Sequence, residues 1–430
     1  MAGALLLAPT NRRVSVVNAD TLAAVAAFLR GSHLLAPHDL PKHVADHGEA
    51  LGFAQASMYL ADLQQQVLVP FLVPGEPSSD DAASVLAIDS TLAGRVFQHV
   101  ATARQDQPDG RVRVWTPLLD GSERLGVLAV TVDGDDALDV DHPVGQRLRL
   151  FATLLAELVM SKTAYGDSMV RLRRTTDMGL AAEIQWNLLP PLTFASPALS
   201  VAAALEPAYE VAGDSVDYSV DPDVARFAVF DGMGHELRSA QLVALTVAAY
   251  RNARRANLRL PETATQIDAA VTEAFGGEGC ITALLAELDT ATGHLSWLSA
   301  GHPPPLLLRH GRLVKSLELA PMVPFGLGIG EFRDASQESG YIGSEQLEPG
   351  DSLLLYTDGV VEARSPEGEM FGVDRLVELI TKNLASGLPA AETMRRAVRA
   401  LLAHQSSALA DDATLLLAQW RPDHPETLLP

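Results

Sequence analysis

The chain holds a single cysteine, Cys280, in 430 residues. A disulfide within the chain is therefore excluded, and so is a zinc site built from several cysteines. Cations are scarce as well. Lysine and arginine number 32 against 54 aspartates and glutamates, for a net charge of −22. That balance argues against non-specific nucleic-acid binding, which depends on basic side chains laid along phosphates. No apolar run approaches the roughly 18 residues of a membrane-spanning helix. The stretch Leu5-Leu6-Leu7 is short and lacks a basic segment ahead of it, so no signal peptide is expected. These absences fit a cytoplasmic protein. No Gly-x-x-x-x-Gly-Lys-Ser/Thr phosphate loop occurs, and Gly326-Leu-Gly-Ile-Gly330 lacks the helix and acidic residue of a dinucleotide site.

What is present is ordinary for a globular protein, with 47% hydrophobic and 20% charged residues. The length suits two or three domains. Residues 1–18 read as a flexible N-terminus. Residues 19–160 alternate helix and strand signals. A helix opens at Asp20 or Thr21 as N-cap, a second covers 40–51, and a third, over 92–100, is capped by Ser90 or Thr91. Strands are expected at 53–60 and 67–73, and a hairpin at 112–119 and 126–132 turning through Asp120-Gly121. The pattern predicts an α+β domain. Two stretches, Leu92-Ala-Gly-Arg-Val-Phe97 and Val114-Trp-Thr-Pro-Leu-Leu-Asp-Gly-Ser-Glu-Arg-Leu-Gly-Val-Leu128, give the region a resemblance to a GAF domain. The resemblance implies a sensor for a small molecule or a protein.

From 143 the pattern becomes one long helix. Leu148, Phe151, Leu155, Leu158, Lys162, Tyr165, Met169, Leu172, Thr176 and Gly179 follow heptad spacing, apolar at first and weaker later. Residues 148–190 therefore read as a coiled-coil-like linker helix, and a homodimer through it is expected. A helix packed on its own domain is the plainer alternative. Pro190-Pro191 ends the helix, and residues 191–422 form the next domain, with 423–430 as a tail. Strand signals at 199–205, 226–230, 280–288, 294–299, 305–308, 351–356 and 414–420 alternate with helices at about 236–257, 262–275, 373–384 and 390–404. The order predicts a β-sandwich covered by helices.

Four aspartates in this half stand beside or near glycine at the ends of apolar runs: Asp214 after Gly213, Asp231 before Gly232, Asp358 before Gly359, and Asp411 in Asp-Asp-Ala-Thr. Carboxylates at strand ends converge readily, and a cluster of hard oxygens suits Mg²⁺ or Mn²⁺. Gly232 lets the backbone approach a metal, and its carbonyl could contribute. Two such ions roughly 3.5–4 Å apart can activate a water and clamp a phosphoryl group for in-line attack. No cysteine–histidine pair competes.

Six ordered stretches make this half similar to the PPM-type serine/threonine phosphatase domain of the SpoIIE/RsbU group. They are Glu183-Ile-Gln-Trp-Asn-Leu-Leu-Pro190, Glu210-Val-Ala-Gly-Asp214, Phe230-Asp-Gly-Met-Gly-His235, Ala300-Gly-His-Pro-Pro-Pro-Leu306, Tyr356-Thr-Asp-Gly-Val-Val-Glu-Ala363 and Asp411-Asp-Ala-Thr-Leu-Leu416. The resemblance implies two Mn²⁺ or Mg²⁺ ions held by Asp214, Asp231, Asp358, Asp411 and the Gly232 carbonyl, with Asp231 bridging. It leaves open whether Asp412 takes the place of Asp411. It also implies a phosphorylated STAS-type anti-sigma-factor antagonist as substrate, dephosphorylated under control of the N-terminal domain. Asp231 and Asp214 are the expected catalytic residues. The sequence departs from the family at Ala212, Glu236 and Met233; the last stands where the wider superfamily often has a histidine acid. His235 is the nearest histidine, and His302 reads as a loop-stabilising residue. Two rivals remain: an inactive sensor or scaffold that binds a partner through a phosphatase-like domain, and a cyclic-nucleotide enzyme. Ala212-Gly-Asp-Ser-Val-Asp217 has only a superficial likeness to the signature of the latter.

Overall fold

The computed structural model describes residues 19–73, 84–133, 142–210, 213–234, 236–320, 322–328, 340–406, 409 and 411–422. The segments 1–18 and 423–430 lie outside the described residues. Two compact units are present: one drawn from residues 1–60, 68–120 and 125–172, the other from 61–67, 121–124 and 173–430. Among the described residues no helix is long and apolar enough to cross a membrane.

The first unit is built on a six-stranded sheet. Its strands are β1 (Gln55–Ala61), β2 (Val67–Phe71), β3 (Leu86–Ala87), β4 (Ala103–Asp106), β5 (Val112–Asp120) and β6 (Glu123–Val132), in the order β3-β2-β1-β6-β5-β4. Helices α1 (Ala19–Ser32), α2 (Leu40–Ala50) and α4 (Pro143–Thr163) supply Phe28, Val44 and Phe151 to a core shared with Met58, Leu128 and Val130 of the sheet. The helix α3 (Leu92–His99) is capped by Thr91, whose hydroxyl accepts from Gly94 N at 3.0 Å. Asp20 falls inside the first turn of α1 rather than at its cap, where its charge suits the helix dipole.

The single linker helix expected over 148–190 is not formed. The chain makes three helices there: α4, α5 (Ser168–Arg173) and α6 (Leu180–Leu188). The physical reasons lie at the two breaks. Gly166 is a poor helix former, and Asp167 O accepts from Arg171 N at 2.8 Å to begin a new helix. At the second break Tyr209 takes the backbone donors: its hydroxyl accepts from Thr175 N at 2.9 Å and its carbonyl from Gly179 N at 3.0 Å. The apolar part of the proposed seam, Leu148, Phe151, Leu155 and Leu158, is buried in the core of the first unit.

The second unit stacks two sheets. One has the order β15-β12-β11-β10-β9, from β9 (Asp214–Val220), β10 (Val224–Gly232), β11 (Ile281–Asp289), β12 (His294–Ala300) and β15 (Gly343–Gln346). The other has the order β14-β13-β16-β17-β8-β7, from β7 (Thr193–Ala195), β8 (Leu199–Glu206), β13 (Leu306–Arg309), β14 (Arg312–Ser316), β16 (Ser352–Tyr356) and β17 (Ala413–Trp420). Neighbouring strands pair antiparallel. Phe227, Val229, Leu284, Leu355 and Leu416 fill the space between the sheets. The alternate residues face outward but are buried too. Ala228, Phe230 and Leu285 meet α7 (Glu236–Arg255) and α8 (Leu260–Phe275). Leu354, Leu415 and Leu417 meet α10 (Val373–Ala385) and α11 (Ala390–His404). Burial on both faces is why these strands read as unbroken apolar runs rather than alternating ones.

Candidate active site

The four aspartates gather at one end of the sandwich. Asp214 is the first residue of β9 and Asp231 the next-to-last of β10. The antiparallel register sets them directly opposite each other. Like charges in that position oppose folding, so the pair breaks a local rule in the way that functional sites do. Asp358 opens the one-turn helix α9 (Asp358–Val361) immediately after β16. Asp411 lies two residues before β17, the neighbour of β16. The two sheets therefore deliver one carboxylate pair each.

Hydrogen bonds tie the sheets together here. Thr357 Oγ1 donates to Asp214 Oδ2 at 2.7 Å and accepts from Thr414 N at 2.9 Å. Asp412 Oδ2 accepts from Gly213 N at 2.7 Å and from Asp214 N at 3.3 Å. Asp411 Oδ1 accepts from Asp412 N at 2.9 Å. Asp412 anchors the backbone at the start of β9, and both Asp411 and Asp412 act electrostatically on Asp231. Gly232 N donates to Gly213 O at 2.7 Å, and Gly232 O accepts from Ser239 Oγ at 3.0 Å. A Cβ on Gly213 would stand 2.9 Å from Gly232 O, so glycine there is a condition of the close approach.

The electrostatics follow from burial. Asp214 is driven well above the usual carboxylate range by desolvation, then by the charges of Asp231 and Asp412. Asp231 is raised to about 7 by desolvation, then by Asp358, Asp411 and Asp412, and it shares a side-chain hydrogen bond with Asp358. Asp358 and Asp411 are raised as well, chiefly by burial. Among the described residues, the largest charge effects on these four come from other carboxylates. Among the described residues no three acidic, histidine or cysteine side chains close into a ligand cage as placed. The donor set nevertheless fits a divalent cation. It consists of hard, mutually repelling oxygens, partly withdrawn from water, whose charge such an ion would balance.

His235 lies outside the described residues. Met233 is exposed at 58%, at the rim of a cavity of about 190 Å³ lined also by Arg238, Leu242 and Phe275. His302 is buried, bonded to Thr282 Oγ1 and to the Tyr356 carbonyl. Thr357, Thr414 and Ser239 were not singled out from the sequence. The signal for the first two was available, since each hydroxyl lies within three residues of an aspartate motif.

Comparison with known proteins finds relatives of this half of the chain. Residues 221–421 match the family model of Stage II sporulation protein E (SpoIIE). The chain is 25% identical over 243 residues to the phosphoserine phosphatase RsbU of Bacillus subtilis, covering 56% of this chain and 69% of RsbU. It is 29% identical over 140 residues to protein IcfG of Synechocystis, covering 33% of this chain and 20% of IcfG. The chain thus spans about a fifth of the latter's length. A crystal structure of RsbU and RsbW domains from Mycobacterium tuberculosis is similar over 54% of this chain and 63% of its own, at 27% identity and a TM-score of 0.45. With the motif order, the strand-end carboxylates and the match over 221–421 taken together, the C-terminal half of this chain is a SpoIIE-type phosphatase domain of the PPM class.

Proposed function

We propose that the protein is a divalent-metal-dependent phosphatase acting on phosphoserine or phosphothreonine of a regulatory protein. The observation that carries this reading is the cross-strand placement of Asp214 against Asp231, with Asp358 hydrogen-bonded to Asp231. Asp214, Asp231, Asp358, Asp411 and the Gly232 carbonyl would hold Mn²⁺ or Mg²⁺. When bound, two such ions supply Lewis-acid clamping of the phosphoryl oxygens and make a water easier to deprotonate. The chain's own residues do the positioning. Asp231 sits between the two sheets' contributions. Thr357 aims the Asp214 carboxylate, Asp412 pins the start of β9, and Ser239 fixes the Gly232 carbonyl.

The finer reading is a STAS-type phosphoprotein as substrate, in the cytoplasm, with the GAF-like N-terminal region as sensor and a homodimer as the signalling form. Its support is the sequence resemblance and one contact in the second unit. Arg251 of α7 bonds both the Leu188 carbonyl at the end of α6 and Asp217, three residues after Asp214. A shift of residues 183–189 would therefore be felt on the strand that carries Asp214.

The first experiment is hydrolysis of p-nitrophenyl phosphate with and without Mn²⁺ by the wild type, Asp231→Ala and Asp358→Ala. Turnover that needs metal and is lost in both variants supports the reading. A folded wild type inactive with every metal, both in the full chain and after deletion of residues 1–140, would favour the scaffold alternative. Unchanged activity and oligomeric state after that deletion would sink the sensor part.

A further inference from the structure

His302 is only 6% exposed, and none of the roles above uses it. It follows Gly301, whose φ is +67°, and Ser299 Oγ holds the turn by donating to His302 O at 2.8 Å and accepting from His302 N at 3.3 Å. The ring makes two directed contacts. Nε2 lies 3.1 Å from Tyr356 O, and Nδ1 lies 2.8 Å from Thr282 Oγ1. A carbonyl oxygen can only accept, so Nε2 carries the hydrogen. Nδ1 is then the bare nitrogen, and the Thr282 hydroxyl donates to it. Burial holds the ring neutral, with its pKa lowered to about 3.

Each partner is next to a candidate ligand. Thr282 is the cross-strand partner of Asp231 in the β10–β11 register. Tyr356 ends β16, two residues ahead of Asp358, and Thr357 between them bonds Asp214. Apolar packing between sheets has no preferred direction, whereas a hydrogen bond fixes both distance and angle. A site fed from two sheets needs its ligands held to within about 0.5 Å. We propose that His302 is a positioning residue: a neutral imidazole strut, in the Nε2–H tautomer, that sets the gap between the Asp231 end of one sheet and the Asp358 end of the other. This rests on the metal-site reading above.

Glutamine and asparagine separate the two contacts. A glutamine amide reaches the place of Nε2 and can still donate to Tyr356 O; the shorter asparagine reaches only the place of Nδ1. The test uses the full chain, with Mn²⁺ affinity read by isothermal titration calorimetry and turnover of p-nitrophenyl phosphate read against Mn²⁺ concentration. Expected for His302→Asn is a loss of affinity of about tenfold or more, the scale seen when an outer partner of a metal site is removed, with the half-saturating Mn²⁺ raised in step. His302→Gln keeps the Tyr356 bond but gives up the Thr282 one, and should lose affinity on the same scale. ¹⁵N NMR of the wild type should show a protonated Nε2 and a bare Nδ1. An Nδ1–H tautomer, or equal Mn²⁺ affinity in all three folded proteins, would overturn the proposal. A wild type that binds Mn²⁺ without hydrolysing the ester, both in the full chain and after deletion of residues 1–140, would defeat the phosphatase reading, and the strut would still be judged by affinity. A wild type with no Mn²⁺ affinity would overturn both.

Discussion

Thr357 donates its hydroxyl to Asp214 Oδ2 at 2.7 Å and accepts from Thr414 N at 2.9 Å, so one side chain aims a carboxylate of the first sheet and satisfies the backbone of the second. Thr357→Val keeps the shape and removes both bonds. It removes one bond to the buried Asp214 carboxylate and leaves the Thr414 amide without its hydroxyl partner, which should lower stability by about 1–3 kcal/mol and turnover by roughly tenfold or more, the scale seen when an outer partner of a metal ligand is lost. Thr357→Ser should stay near wild type. Denaturant unfolding and p-nitrophenyl phosphate turnover, measured on both variants, check this. Valine and serine variants of equal activity would show that the hydroxyl does not align Asp214.

Asp231→Asn should separate stability from activity. The substitution removes one charge from a buried set of carboxylates that repel one another. In EDTA the variant should melt higher than wild type, while Mn²⁺-dependent turnover should fall at least about a hundredfold, as expected when a ligand of the metal that stabilises transition-state charge is lost. A variant that melts lower in EDTA would contradict the account of the repulsion.

Asp411 and Asp412 should fail in different ways. Asp412→Asn keeps a carbonyl oxygen for Gly213 N and should retain much of the activity. Asp411→Asn removes a charge that acts on Asp231 and leaves the Asp412 anchor of β9 in place, and it should raise the Mn²⁺ requirement about tenfold or more. The reverse order, read from Mn²⁺ titrations of turnover, would make Asp412 the ligand.

Gly359→Ala should disable the site without touching a carboxylate. The added Cβ would come within 2.0 Å of Asp412 O and 3.5 Å of Asp411 Cβ. Backbone there must move, carrying Asp411 with it. Turnover should be lost, and Mn²⁺ affinity by calorimetry should drop with it. Unchanged affinity would show that the loop before β17 has room that the structure does not display.

Buried His302 gives a signed pH dependence. Its pKa in the fold is lowered to about 3 from the ordinary 6.5. Between those values the unfolded chain binds a proton that the folded chain does not. Stability therefore falls as pH drops through that window, by at most about 1.4 kcal/mol per pH unit from this one group. His302→Gln should lose stability less steeply from pH 6.5 downward, as read by denaturant midpoints. Parallel curves would mean that the ring is not neutral in the fold.

The strands and helices that were legible in the sequence are those with a packing signature. The runs at 224–232 and 413–420 are apolar on both faces because each sheet is covered on both sides. Strand β9 was missed because it reads as Asp214-Ser-Val-Asp-Tyr-Ser-Val, yet Asp214, Ser215 and Asp217 are buried. Asp217 is held by Arg251 and Arg254 of α7, partners 34 and 37 residues away. Strands β14 and β15 lie at sheet edges and carry Arg312, Lys315, Ser344 and Gln346 toward water, so they show little apolar pattern. The break of the linker into α4, α5 and α6 was hidden for another reason. Heptad spacing reports only a helix's own preference, whereas Tyr209, far along the chain, takes the backbone donors of 175 and 179.

The sequence by itself determined the chemistry and its order along the chain: which aspartates, beside which glycines, at the ends of which apolar runs. Those are local properties, written in side-chain type and spacing. The tertiary structure decided which oxygen meets which group. It set Asp214 opposite Asp231, turned Asp412 toward the Gly213 backbone across 199 residues, and joined Thr357 to Asp214 across 143. Register and long-range hydrogen bonding fix those pairings, and neither is encoded in any short stretch of sequence.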